Sequence, residues 1–239
     1  MVSIDDRYYQ MHPKSAEFSA EAETLFPDGV THDTRYVSPF PLFMKEGLGP
    51  YKWDVDGNRY IDYVSGHGSL ILGHSHPDIV AAVAEQVSKG THLGANTELE
   101  IRWAKSIKNL MPSIERIRFH SSGTEATMMA MRLARAYTGK DKIIKFQDHF
   151  HGWNDYASAG SDRGTGGIPS TTLESMIVLP DGDIALVEDY LSRDNNIAAV
   201  IVEPSGAHMG SLPLNPDFLH DLREVTRKYN VGFIMDEVV

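Results

Sequence analysis

From residue 76 onward, short apolar runs alternate with amphipathic stretches. His76-Pro77-Asp78 opens a helix, with proline suited to the first helical position, and Ile79, Val80, Val83 and Val87 recur at helical spacing. Thr97-Glu98-Leu99-Glu100 is a capping box that starts another helix toward Met111. Ile114 to His120 reads as a strand, Thr124 to Tyr137 as a strong helix stopped by Gly139, and Lys142 to Phe146 as a strand. Together they predict a βαβ unit over 114–146 with a right-handed crossover. Met176 to Leu179 reads as a short strand, and Ala198 to Val202 and Val231 to Met235 as buried strands, with helices at Ile184–Leu191 and Asp217–Tyr229 between them. Strands that are apolar throughout, separated by helices, predict an α/β fold: a mostly parallel sheet with helices on both faces.

The first 75 residues differ. Residues 1–26 are polar and mixed, a helical or loosely ordered lead-in. Residues 27–50 are rich in proline and glycine, including Pro39-Phe40-Pro41, and read as loop with extended pieces. Tyr51 to Tyr63 alternates around Asp56-Gly57-Asn58, which predicts a small hairpin. The expected organisation is an N-terminal segment of loops and hairpin over 1–75, then a large domain over 76–239.

Composition narrows the classes of function. The formal net charge of −11 lacks the basic character of a nucleic-acid surface. The absence of cysteine removes disulfides and thiolate metal sites. No apolar run approaches the roughly 20 residues that span a bilayer, and Met1 to Asp6 lacks the pattern of a secretory signal. The expectation is a cytoplasmic protein that binds neither nucleic acid nor membrane.

In open parallel sheets, ligands bind beyond the carboxyl ends of the strands. Ser122, Phe150, Glu203 and Asp236 each follow an expected strand end, so they should gather on one edge. Ser122-Gly123-Thr124 lies between an expected strand and a helix. Gly123 lets an anion approach, and the hydroxyls and free N–H groups of a helix start suit phosphate. A plain N-cap by Ser122 is the competing reading. Asp236-Glu237 could be an acidic pair holding magnesium, but that needs a P-loop. The chain's Gly139-Lys140 is followed by Asp141 at a helix end, so no P-loop is present. The remaining readings of Asp236 are a carboxylate that pairs with a protonated ring nitrogen, or an acidic loop. His74-Ser75-His76 and His149-Phe150-His151 have a His-x-His spacing, yet neither has a third ligand nearby in sequence. No metal is expected. Phe150, beside a glycine-bearing turn, could stack on a planar group or pack in the core.

These segments resemble the class III aminotransferases, pyridoxal-phosphate enzymes of the aspartate-aminotransferase fold type. The resemblance runs from about Pro27 to Val239, through Tyr60–Pro77, Ser122–Phe146, Val200–Pro204, Ala159-Gly160-Ser161 and the closing Ile234-Met235-Asp236-Glu237-Val238-Val239. Within the family the likeness is greatest to the glutamate-1-semialdehyde aminomutases. It implies pyridoxal 5'-phosphate as cofactor, a small amino-acid substrate, a homodimer, and a large domain of the aspartate-aminotransferase type that is incomplete at its C-terminus. Gly123 and Thr124 would hold the phosphate with Ser122 beside them. Phe150 would stack on the pyridine ring, Val238 would pack on its other face, Asp236 would pair with its nitrogen, and Glu203 would organise the ring edge. Arg35 matches a substrate-carboxylate arginine, His67 stands where the resemblance has tryptophan, His32 where it has serine, and Ser161 lies in a loop matching a mobile gate.

The family's Schiff-base lysine is expected beyond Val239. Amino-group transfer of the aminomutase kind is therefore expected of a longer polypeptide. A transaminase for another amino acid, β-amino acids included, is equally compatible with the residues, and a cofactor-binding fragment without catalysis is the reading from a different class.

Overall fold

The computed structural model describes residues 2–160 and 164–239, which form two compact units, Met1–Glu98 and Leu99–Val239.

In the first unit, α1 (Ile4–Met11) and α2 (Pro13–Ala22) precede two 3₁₀ turns, and a three-stranded antiparallel sheet follows. Its strands β1 (Met44–Leu48), β2 (Tyr51–Asp54) and β3 (Arg59–Ile61) lie in that order. The expected hairpin is β2–β3, and β1 is the main extended piece of the proline-rich stretch. Asp54, fully buried at the end of β2, fixes this hairpin. Its carboxylate accepts from the Asp56 and Asn58 backbone N–H groups, the Asn58 amide and the Tyr60 hydroxyl, and lies 3.2 Å from His12 Nδ1. Asp56 in turn accepts from the Lys14 and Ser15 N–H groups, and so caps α2, which its own N-cap residue His12 leaves without a side-chain acceptor. His12, Asp54 and Asp56 bring their ligating atoms within 4.8 Å of one another. Those oxygens are occupied by the protein's own donors, so the cluster is a knot of hydrogen bonds. The helix α3 (Pro77–Val87) starts at His76 as expected.

The second unit carries α4 (Glu98–Leu110, beginning at the boundary), α5 (Gly123–Thr138), β4 (Lys142–Phe146), α6 (Ser170–Leu173), β5 (Met176–Leu179), α7 (Ile184–Arg193), β6 (Ile197–Val202), α8 (Ala207–Gly210), α9 (Pro216–Lys228) and β7 (Gly232–Met235). Every strand pair is parallel and the order is β5-β4-β6-β7. All six residues of β6 are buried, as its unbroken apolar run requires. On one face Ile144, Phe146, Val200 and Val202 pack with Val187 and Leu191 of α7 and Phe218 and Leu222 of α9. On the other, Ile143, Ala199 and Ile201 pack with Met131 of α5. Burying an aliphatic side chain of this size contributes about 1.5–3 kcal/mol each. α9 shows the sequence logic plainly. Asn215 caps it, Pro216 takes the first position, and Phe218, Leu222 and Thr226 are its buried stripe at four-residue spacing. α5 ends at Gly139 with φ +68, the left-handed cap expected.

Ile114 to His120 is a correction: it forms no strand. None of the described strands pairs with this stretch, and without a ladder extended backbone is not a strand. The predicted βαβ unit over 114–146 therefore lacks its first strand. The turn-length helices α6 and α8 had no periodicity to announce them.

Candidate active site

The carboxyl ends of β4, β6 and β7 and the start of α5 come together in the second unit. Each contributes through a backbone device that the sequence dictates.

At α5, Ser122 is the N-cap, and its Oγ accepts from the Glu125 N–H at 3.2 Å. The Glu125 carboxylate accepts from the Ser121 N–H at 2.8 Å. Gly123 is the first helical residue, and a Cβ there would lie 2.8 Å from Cγ1 of Val238. The segment after β7 therefore rests on the glycine of the helix start. Thr124 Oγ1 accepts from the Trp153 N–H at 3.2 Å, which ties the loop after β4 to the same turn.

That loop runs through Asp148, a non-glycine at φ +63, into His149-Phe150-His151-Gly152. His149 is buried, and its Nδ1 accepts from the Glu203 N–H at 2.9 Å. The Phe150 N–H donates to Glu203 Oε2 at 2.8 Å, while the residue remains 45% exposed and its ring meets Trp153 edge-on at 5.8 Å. The buried His151 donates from Nδ1 to Asp236 Oδ2 at 2.8 Å. Its carbonyl accepts from the Thr127 hydroxyl of α5 at 2.6 Å. Asp236 donates from its N–H to Val202 O at 2.8 Å, continuing the β6–β7 ladder one residue past the strand. Its Oδ1 accepts from the Val238 N–H at 3.2 Å.

The electrostatics follow from burial. It pushes the Glu203 carboxyl up, helped by the charge of Asp236 and opposed by the Phe150 N–H. Burial pushes His151 down against the pull of Asp236. It also pushes His149 down to about 4, so His149 is neutral near pH 7. The edge thus holds two carboxyl groups and two neutral imidazoles.

Ser122, Gly123, Thr124, Phe150, Glu203, Asp236 and Val238 all lie in this cluster. Arg35 and His67 lie in the first unit. Arg35 is exposed and donates from Nη1 to Thr31 Oγ1 at 2.8 Å. The neighbouring His32 caps its own 3₁₀ turn, lying 2.8 Å from Thr34 Oγ1. His67 is exposed in a run of four positive φ angles, Ser65 +46, Gly66 +62, His67 +56 and Gly68 +83. Ser161 lies outside the described residues. Sequence reasoning missed His151 as the partner of Asp236. Its His-x-His spacing was weighed only as a metal pair and set aside, and its true partner lies 85 positions away.

The class-III aminotransferase family model matches residues 33–239. The chain belongs to this family. A glutamate-1-semialdehyde 2,1-aminomutase of Chloroflexus aggregans is 44% identical, with all of this chain and 56% of that protein aligned. Among solved structures, an omega-transaminase from Sphaerobacter thermophilus superposes with a TM-score of 0.89 at 37% identity, covering 94% of this chain and 55% of that one. A transaminase described as having PLP bound gives 0.87 at 32% identity, covering 94% and 55%. The chain spans about half the length of the curated relatives it matches. No helix among the described residues is long and apolar enough to cross a membrane.

Proposed function

We propose that this chain supplies the cofactor cradle of a pyridoxal-phosphate enzyme that transfers an amino group on a small amino-acid substrate, in the manner of a glutamate-1-semialdehyde aminomutase. The Asp236 carboxylate carries this reading. It is anchored by His151 at 2.8 Å, stands at the carboxyl end of the half-buried edge strand β7, and is followed by Val238 packed on the glycine of a helix start. A carboxylate for a ring nitrogen and a side-chain-free helix N-terminus for a phosphate are the two ends that this cofactor requires. Its residues fit the group. Ser122, Gly123 and Thr124 would hold the phosphate, Asp236 the ring nitrogen, and Phe150 and Val238 the two ring faces, with Glu203 at the edge. When bound, the cofactor supplies an electron sink for negative charge at the substrate's α carbon.

Arg35 suits the substrate carboxylate, which a guanidinium grips in bidentate fashion. His67 and Ser161 complete the proposed substrate side. The protein works as a cytoplasmic homodimer on this reading. A transaminase acting on a different amino acid is the second reading, supported by the 37% identity and close superposition of the Sphaerobacter transaminase. An aminomutase returns the amine to the same carbon skeleton, whereas a transaminase needs a second substrate.

The intact mass of the natural protein, taken with its absorption after pyridoxal phosphate is added, tests the proposal. A mass well above that of these 239 residues, a borohydride-reducible band near ~420 nm, and turnover of glutamate-1-semialdehyde without an added keto acid are the expected results. Dependence on a keto acid would favour the second reading. A cofactor that never becomes reducibly attached would leave a binding protein and overturn both.

A further inference from the structure

Neighbouring residues of a strand point to opposite faces of the sheet. Ile143, Ala199, Ile201 and Ile234 pack on the α5 face with Met131. By that alternation Lys145 on β4, Glu203 after β6 and Asp236 after β7 stand on the same face. The register pairs Ile143 with Ala199 and Ile201 with Ile234. Continued by two residues, it sets Lys145 level with Ile201, one pleat behind the row that carries Glu203 and Asp236.

Lys145 is 1% exposed. Its Nζ donates to the Ala157 carbonyl at 2.8 Å, its one hydrogen-bond acceptor among the described residues. Burying an ammonium on one neutral acceptor is costly, and the same face of β4 carries a hydrocarbon, Ile143, one pleat earlier. The charge is compensated from the edge. Burial lowers the Lys145 ammonium to about 8, and Glu203 and Asp148 hold it up. It remains charged at neutral pH.

His151 is the group this charge bears on. Its Nδ1–H is committed to Asp236, and its Nε2 is buried without a partner. A second proton would sit on Nε2 with no acceptor and would turn Asp236 into half of an internal ion pair. The groups around His151 are Asp236 from β7, Lys145 from β4, Glu203 at the end of the intervening β6, His149 with ring centroids 6.1 Å away, and the uncharged Thr127 of α5. Asp236 invites the second proton; burial and Lys145 oppose it.

We propose that Lys145 is a positioning residue whose buried ammonium, one pleat behind the row of Glu203 and Asp236, keeps a second proton off His151, so that Asp236 presents its full carboxylate charge at the sheet edge. The proposal rests on the functional reading above only for what Asp236 faces. The charge relation itself belongs to the cofactor-free protein.

The test is the titration of His151 by NMR of histidine-labelled, cofactor-free natural protein at its full length, in wild type, Lys145→Met and Lys145→Arg. In Lys145→Met the His151 midpoint should rise by about one unit or more, the scale of one nearby charge, and Lys145→Arg should return it toward wild type. An unchanged midpoint in folded Lys145→Met overturns the proposal. So does an equal rise in Lys145→Arg, because the effect would then be packing and not charge. If Lys145→Met fails to fold, Lys145→Gln keeps a donor for the Ala157 carbonyl and is read in the same way. Pyridoxal phosphate is added in a second titration. Failure to bind it would sink the functional reading and leave the His151 result standing.

Discussion

A Cβ on Gly152 would stand 2.5 Å from Oγ1 of Thr124 and 2.6 Å from its Cα. Gly152 also has φ +94, a conformation that side chains resist. The loop after β4 therefore closes on the first turn of α5 with no room for a methyl group. Gly152→Ala should cost about 1–3 kcal/mol from crowding, with backbone strain in addition. Gly139→Ala is the control, since Gly139 has φ +68 but open space around its missing Cβ. That variant should lose only about 1 kcal/mol. Denaturant unfolding of both variants measures the difference, and equal losses would mean that the close approach is not rigid.

Asp236 and Thr124 should differ in kind when substituted. Asp236→Asn keeps the size of the side chain and removes the charge that His151 is oriented to support. Thr124 Oγ1 already accepts from Trp153, so Thr124→Ala removes that loop contact together with the hydroxyl proposed to hold the phosphate. Asp236→Asn should lower turnover of the holoenzyme by about 10²–10³-fold at saturating cofactor. Thr124→Ala should chiefly weaken cofactor affinity. Comparable turnover losses at saturation would remove the special role of Asp236.

Much of the second unit was legible because its elements are locally specified. Lys142–Phe146, built on Ile143, Ile144 and Phe146, and the apolar run Met176–Leu179 are strands over the expected residues. Gly139 marks a helix end through its own backbone preference. Ile114–His120 failed because strand formation depends on a neighbour, which no local pattern reports. The candidate site divides in the same way. Phe150, Glu203 and Asp236 could be placed at one edge by topology alone, whereas Ser122 lies there without the strand expected before it. The pairing of His151 with Asp236 and the burial of Lys145 arise from packing between distant segments. The knot around Asp54 was invisible for the same reason, since it joins His12 to a hairpin 42 positions later.

That knot makes a prediction for the N-terminal helices. Asp56 is the acceptor for the first N–H groups of α2, at 2.8 Å from Lys14 and 3.1 Å from Ser15. Losing a cap of this kind costs about 1 kcal/mol. Asp56→Ala should therefore raise amide hydrogen exchange at Lys14 and Ser15 and fray α2 from its start, while β2 and β3 stay protected through Asp54. Asp54→Ala should do more, because the Tyr60 hydroxyl and the Asn58 N–H would lose a buried acceptor. If α2 exchanges no faster in Asp56→Ala, its helix start is capped in another way.

Asp62 predicts how the first unit responds to acid. Its carboxylate lies 2.7 Å from His74 Nε2 and accepts from Lys52 Nζ at 3.0 Å and the Val64 N–H at 3.1 Å. The His74 bond is the largest influence, and with the Lys52 bond it outweighs burial and holds Asp62 well below the usual carboxylate range. A carboxyl group depressed by folding binds its proton more readily in the unfolded chain. Its contribution is complete above the ordinary aspartate value of about 4, and drains away as the pH falls from there toward the folded value. Asp62→Asn cannot lose what it does not have. The variant should be less stable than wild type at pH 7, and the gap should narrow steadily below about pH 4. Urea midpoints taken from pH 7 downward follow the gap directly, and a difference that stays constant into the acid range would mean that the His74 and Lys52 contacts do not hold Asp62 in its charged form.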